Sequence, residues 1–501
     1  MSKNRDLDAE KKGYKKAIYY ANWKNLTSDI KKMGFSTSFK KIAGIMAIYV
    51  AAAGAVAFFM KLPVFCFVYM LILGIFIIPL LIVNMYRKIY EDNRFREVSQ
   101  YIEQMLYSFK NTNKVYKSLQ DIQPMFTDSP MGTVIEKAAK DIIDKGLEEG
   151  LKNFTDAYDC QKIQQLNKFL IEVEQVGGAH EDSIDLLLQD RETWVNRTLE
   201  YKKERNHRKV TVYMAIVVSF ILCVLMEKIL PREIDISSNP LCYLSSTILF
   251  TIDLVLFYIT DNLCSASILN SLKTRADADI KKYYEYLVNY NAKREFLKGA
   301  RVAPIGLLIT VLGIVMNEIA LILTGIFFAV YCLFKSRVEY NTRYKAIKEE
   351  IEIQFPRWLM NVALYIQSNS VQVALYKSIA TAPLVLQPEL IKLNNAIREN
   401  PTAPEPYLNF MKDFNMPDIT MNMKMFYSIA SGAGADVQKQ VNEIIKRNNA
   451  LLDKTERIVI DNYLAKMYMF FLAPQLTGGL KLAVDMVLFF IVFMSSSMVI
   501  A

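Results

Sequence analysis

Seven stretches of this chain are apolar over enough residues to cross a bilayer: 42–60, 64–86, 210–230, 241–261, 301–317, 318–336 and 482–501. No other feature restricts the fold so strongly. Lipid offers no water to the backbone, so each stretch must bond its own amides as a helix. Lys61-Leu62-Pro63 alone separates the first two, and Met316-Asn317-Glu318 the fifth and sixth, so both pairs are expected to be hairpins. An apolar content of 52% with a mean hydropathy of +0.15 suits membrane helices joined to water-soluble modules. The first apolar run starts too late for a secretory signal, so the N-terminus is expected to be retained.

Charge gives an orientation. Residues 1–41 hold eleven Lys/Arg against four acids, residues 262–300 hold seven Lys/Arg, and basic pairs follow Tyr86 and Phe334. Loop 231–240 has only Arg232, against Glu233 and Asp235. Basic loops stay in the cytoplasm. The chain is therefore expected to sit in the cytoplasmic (inner) membrane with the N-terminus, 87–209, 262–300 and 337–480 inside. The net charge of +9 flanks apolar runs, which points to anionic lipid rather than nucleic acid.

The expected plan runs in order along the chain. Residues 1–41 form a basic amphipathic segment, 42–86 a hairpin, 87–209 a first module, and 210–261 two transmembrane helices. A linker at 262–300, a hairpin at 301–336 and a second module at 337–462 follow. Residues 463–480 are apolar but interrupted by Lys466 and Pro474, so 463–501 reads as an interfacial segment followed by a terminal transmembrane helix. In the N-terminal segment Tyr14, Ile18, Trp23, Leu26, Ile30 and Met33 alternate with lysines, as in a helix lying on the inner leaflet.

The two modules are related. Asn113, Val115 and Leu119 recur as Asn369, Val371 and Leu375, a step of 256 residues, which also carries Phe154 to Phe410 and Gly178-Ala179 to Gly434-Ala435. A fixed offset marks an internal duplication. Apolar positions at helical spacing (Ile102, Met105, Leu106, Phe109; Leu359, Val362, Ala363, Ile366) predict an all-α bundle of about six short helices in each copy. Phe355-Pro356 is expected to start the second bundle. Gly178 and Gly434 are expected to end a helix with a positive φ.

Catalytic signatures are missing. The sequence contains no GxxxxGK[ST], HExxH or GxSxG motif, and its two histidines and six dispersed cysteines form no metal pattern. The chain reads as a non-enzyme with no catalytic, cofactor-binding or metal-binding residues. One residue stands out: Asp253, a carboxyl in the middle of an apolar run. It is either a subunit contact or ion path, or an acid satisfied within the bundle. Glu318 and Asp485 are expected at the interfaces.

These features resemble the F-type domain of type II secretion systems, found in the inner-membrane platform proteins of type IV pili, Tad pili and archaeal adhesion filaments. Phe355-Pro356-Arg357-Trp358-Leu359, Asn369-Ser370-Val371 to Leu375 and Ser431-Gly432-Ala433-Gly434 carry the likeness in the second copy. Asn113-Lys114-Val115 and Val176-Gly177-Gly178 carry it in the first, where Gln100 stands for the opening proline. Two modules with hairpins in one chain look most like a Tad-type pair, TadB and TadC, fused end to end. The resemblance implies a polytopic membrane platform with two cytosolic F-type modules that couples a separate hexameric ATPase to pilin or pseudopilin extraction. It also implies a homo-oligomer. A transporter and a signalling or assembly scaffold without a pilus are the alternatives.

Overall fold

The computed structural model describes residues 13–177, 181–229, 236, 238–265, 269, 277–316, 318–366, 369–432 and 437–500. Every regular element among them is helical. Seven helices are long and apolar enough to cross a membrane, and each covers one of the seven apolar runs. Gly178 and Gly434 lie outside the described residues. Positive φ angles after the corresponding helices are seen one or two residues earlier, at Gly177 (76°) and Gly432 (70°).

The contacts divide the chain into two units. One comprises the described residues of 1–175, 187–271 and 458–501, the other those of 176–186 and 272–457.

The first unit opens with α1 (Gly13–Ala21) and α2 (Trp23–Lys32). The apolar face expected to lie on lipid is covered by protein only in part: Leu26 and Ile30 are buried, with Tyr20, against Ile78, Ile82 and Val83, while Ile18 and Trp23 remain exposed. Next come α3 (Phe39–Phe59) and α4 (Val64–Thr112), the first hairpin. Its turn places Lys61 at φ 45° and lets the Leu62 amide donate to the Ala57 carbonyl at 2.8 Å, a left-handed helix cap. The helix α4 does not stop where its apolar run ends near Tyr86, but continues as the first helix of a bundle. That bundle adds α5 (Val115–Ile122), α6 (Pro130–Lys145), α7 (Leu147–Tyr158), α8 (Gln161–Val176) and, from Leu187 on, α9 (Glu181–Ile229). Tyr101 stacks on Phe154 at 4.5 Å, and Phe95 meets Trp194 edge-on at 4.9 Å. Arg191 on α9 donates to Ser99 Oγ and Glu103 Oε2 at 2.8 and 2.7 Å, tying the last helix to the first. Beyond the bundle, α9 is itself apolar to Ile229, and α10 (Pro240–Cys264) follows.

The second unit has α11 (Asp277–Val288), the hairpin α12 (Ala292–Val315) and α13 (Ile319–Ile366), then α14 (Val371–Ile379), α15 (Gln387–Glu399), α16 (Glu405–Asn409) and α17 (Pro417–Ala430). The last helix, α18 (Val437–Ile500), begins in this unit and ends in the first. Glycines at 299, 306 and 313 recur every two turns on α12, so its backbone touches α13. A Cβ on Gly306 would stand 2.7 Å from the Ala329 nitrogen. Trp358 centres the bundle. It is 1% exposed, donates to Ser378 Oγ at 3.0 Å and packs between Phe410 and Phe426.

Pro356 does not start the bundle; it lies inside α13. Proline has no N–H, so the carbonyl of Glu352 four residues earlier loses its helical donor. Thr455 Oγ1 of α18 supplies one at 3.3 Å, and Asn448 Nδ2 donates to the Pro356 carbonyl at 2.8 Å.

The 256-residue offset holds for elements as well as for residues. Moved by 256, α5 falls on 371–378 and meets α14 (Val371–Ile379), while α8 falls on 417–432 and meets α17 (Pro417–Ala430). The α3–α4 hairpin likewise falls on α12–α13, and α2 on α11. Details of backbone geometry repeat too. The Leu62 to Ala57 bond has its counterpart in Glu318 to Gly313 at 2.9 Å, and the left-handed Asp159 (φ 42°) in Asn415 (φ 46°).

Candidate functional site

Three helices of the first unit, α9, α10 and the last part of α18, enclose a group of polar side chains within their apolar stretches. On α18 the buried positions Met467, Pro474, Gly478, Lys481, Asp485 and Leu488 recur at three, four and seven, the stripe of one helix face. On α10 the buried stripe is Cys242, Ser246, Leu249, Asp253, Leu256 and Thr260. Both stripes mix small and polar residues, which let helices approach closely and bond across the interface.

The α9–α18 crossing is tight at Gly478, where a Cβ would stand 2.3 Å from Ser219 Oγ. Ser219 Oγ donates to the Pro474 carbonyl at 3.0 Å, and the Cys223 thiol faces the Gly478 carbonyl at 4.0 Å. Both pairs are 255 residues apart, so the third apolar run packs lengthwise against its own counterpart in the duplication. Residues 463–480, expected as a separate interfacial piece, are one uninterrupted part of α18. Pro474 lies inside the helix, and its carbonyl accepts from both Ser219 Oγ and Thr477 Oγ1 (3.1 Å).

One turn beyond Gly478 lies a group of charges. The Lys481 ammonium binds both carboxyl oxygens of Asp485, its i+4 neighbour, and Glu227 of α9 lies 3.6 Å away. The side chains of Lys481, Asp485 and Glu227 are 1%, 0% and 9% exposed. Cys242 of α10 completes the group, its sulfur 3.7 Å from both Lys481 Nζ and Asp485 Oδ1. Asp485, expected at an interface, is thus among the most enclosed residues of the chain. Its lysine neutralises it locally, which makes burial tolerable.

Asp253 lies on the same α10 stripe. It is 1% exposed, its Oδ1 accepts from Thr477 Oγ1 at 3.2 Å, and its Oδ2 has no partner. The structure therefore brings Asp253 together with Ser219, Thr477 and Pro474. Glu318 stands apart, exposed at the second hairpin turn. Sequence reasoning missed Glu227, Ser219 and Thr477. The offset was the available signal: moved by 256, Glu227 falls between Lys481 and Asp485.

Chemically, this arrangement can hold helices in register and can bind or release a proton. No group of three or more metal-ligating side chains occurs among the described residues. Its seven apolar helices mark the chain as a multi-pass membrane protein. No protein-family model matches the sequence, and neither a curated protein nor a solved structure matches it.

Proposed function

We propose that the protein is the integral-membrane platform of a type IV pilus-like, Tad-like or type II secretion-like machine. In this reading the two bundles are F-type modules on the cytoplasmic side. They receive the strokes of a separate hexameric ATPase, and the membrane helices pass that motion to pilin or pseudopilin subunits entering a filament. The protein itself catalyses nothing. Its partners are the ATPase, the pilins, membrane lipid and further copies of itself.

One observation carries the reading. Each bundle is bracketed by two helices that run without a break from the bundle into an apolar stretch: α4 and α9 with 49 residues each, α13 with 48 and α18 with 64. A displacement imposed on a bundle is carried along continuous helix at 1.5 Å per residue, with no loop between bundle and apolar stretch to absorb it. The test is co-purification of the tagged full-length protein from its native membrane, together with deletion of its gene. Recovery of a secretion-type ATPase or a pilin, with loss of surface filaments on deletion, supports the platform. Recovery of neither, with filaments intact, refutes it.

A transporter is the second reading. It is favoured by the enclosed charges Glu227, Lys481 and Asp485 beside Asp253, since ionisable groups between membrane helices mark ion and substrate paths. Under that reading Lys481→Met abolishes solute uptake and leaves filaments unaffected.

A further inference from the structure

Thr477 has one hydroxyl hydrogen and two acceptors within reach, Asp253 Oδ1 at 3.2 Å and the Pro474 carbonyl at 3.1 Å. We propose that Asp253 is a proton-binding site whose occupancy sets the Pro474 hinge of α18. A carboxyl 1% exposed among apolar helices, with one oxygen unpartnered and no ion pair among the described residues, is poorly stabilised as an anion. Taking up a proton from water forms one O–H bond on the carboxylate and transfers no electrons.

The two protonation states order the hydrogen bonds differently. With Asp253 ionised, the Thr477 hydrogen turns to Oδ1, and Ser219 of α9 is left as the side-chain donor to the Pro474 carbonyl. With Asp253 neutral, its own O–H donates to Thr477 Oγ1, and Thr477 passes its hydrogen to the Pro474 carbonyl. A directed chain then runs from acid to hydroxyl to carbonyl. Proline at 474 leaves the carbonyl of residue 470 without its helical N–H, so Thr477 and Ser219 act on the turn next to an incomplete part of the ladder, where a helix bends most easily.

The surrounding groups leave Asp253 to act alone. On α18 the nearest charges are Lys481 and Asp485, which bind each other, and on α9 Glu227 lies against Lys481. On α9 the Cys223 thiol faces the Gly478 carbonyl, and on α10 itself Asp261 pairs with Lys209 and the Cys242 thiol faces the Lys481–Asp485 pair. On the α3–α4 side are two phenols: Tyr49 donates to the Met70 carbonyl, and Tyr69 lies 3.4 Å from Thr251.

The test is infrared spectroscopy of the full-length protein in lipid, paired with distances between spin labels at Met469 and Phe490, exposed positions on either side of Pro474. A protonated-carboxyl band is expected at neutral pH. It should be absent in Asp253→Asn and moved to higher frequency in Thr477→Val. The label distance should change as alkali removes the band, and Asp253→Asn should hold the neutral-pH distance at every pH. Absence of the band at neutral pH, or a distance that does not follow it, overturns the proposal. Should Asp253→Asn fail to fold, Thr477→Val decides: the moved band must be accompanied by a lost distance response, and an unmoved band or an intact response refutes it.

Discussion

Replacing Lys481 with methionine is expected to destabilise the protein far more than removing its whole charge group. The Lys481 ammonium is 1% exposed and faces two carboxyls, Asp485 at 0% and Glu227 at 9%. At 3.6 Å and an effective dielectric of about 20, the Lys481–Glu227 attraction alone is worth about 5 kcal/mol before desolvation. Desolvating three ions offsets most of that gain, so the intact group contributes little net stability. Removing the cation is different, because it strands two acids where water cannot reach them, at a cost of about 3–5 kcal/mol. The triple variant Glu227→Leu, Lys481→Met, Asp485→Leu strands nothing and should return to within about 1 kcal/mol of the parent. Reversible denaturation in mixed micelles, followed by helical circular dichroism, gives both numbers. A single variant that loses less than about 1 kcal/mol, or a triple variant less stable than the single, would refute the account of the group as a mutually compensating set.

Three further outcomes follow from the second unit. Gly306→Leu should cost at least about 1–3 kcal/mol by forcing α12 off α13, whereas Gly44→Leu, with nothing within 4 Å of its Cβ, should be tolerated; thermal unfolding in detergent compares them. Trp358→Ala should cost about 3–5 kcal/mol, read from the denaturation midpoint, because it empties the centre of the bundle and leaves Ser378 without its indole donor. Thr455→Val should cost about 0.5–1.5 kcal/mol in the parent, and the loss should vanish in Pro356→Ala, whose restored N–H serves the Glu352 carbonyl; equal losses in both backgrounds would contradict this.

The membrane helices were legible in the sequence because an apolar run of bilayer length has few other uses. The 256-residue offset was legible because it links residues that are buried in both bundles, Val115 with Val371 and Phe154 with Phe410. Prolines were the main source of misreading. Pro356 and Pro474 each looked like a helix boundary, yet both lie inside helices, and the donor that replaces the lost N–H at Glu352, Thr455, comes from a distant part of the chain. Asp485 was misread for a related reason. It is a penalty when counted alone, and its i,i+4 pairing with Lys481, with Glu227 close by, removes most of it. Leu26 and Ile30 read as lipid-facing because periodicity shows that a face is apolar but not what covers it.

The account depends on a duplicated arrangement in which both bundles hang from membrane helices on one side of a bilayer. Single cysteines at Glu148 and Glu399, exposed positions in the first and second bundles, test this directly, since the six native cysteines are all buried. With a membrane-impermeant maleimide, neither position should react in intact cells, and both should react once the cytoplasmic face is opened. Labelling of one bundle from outside and the other only from inside would contradict the account.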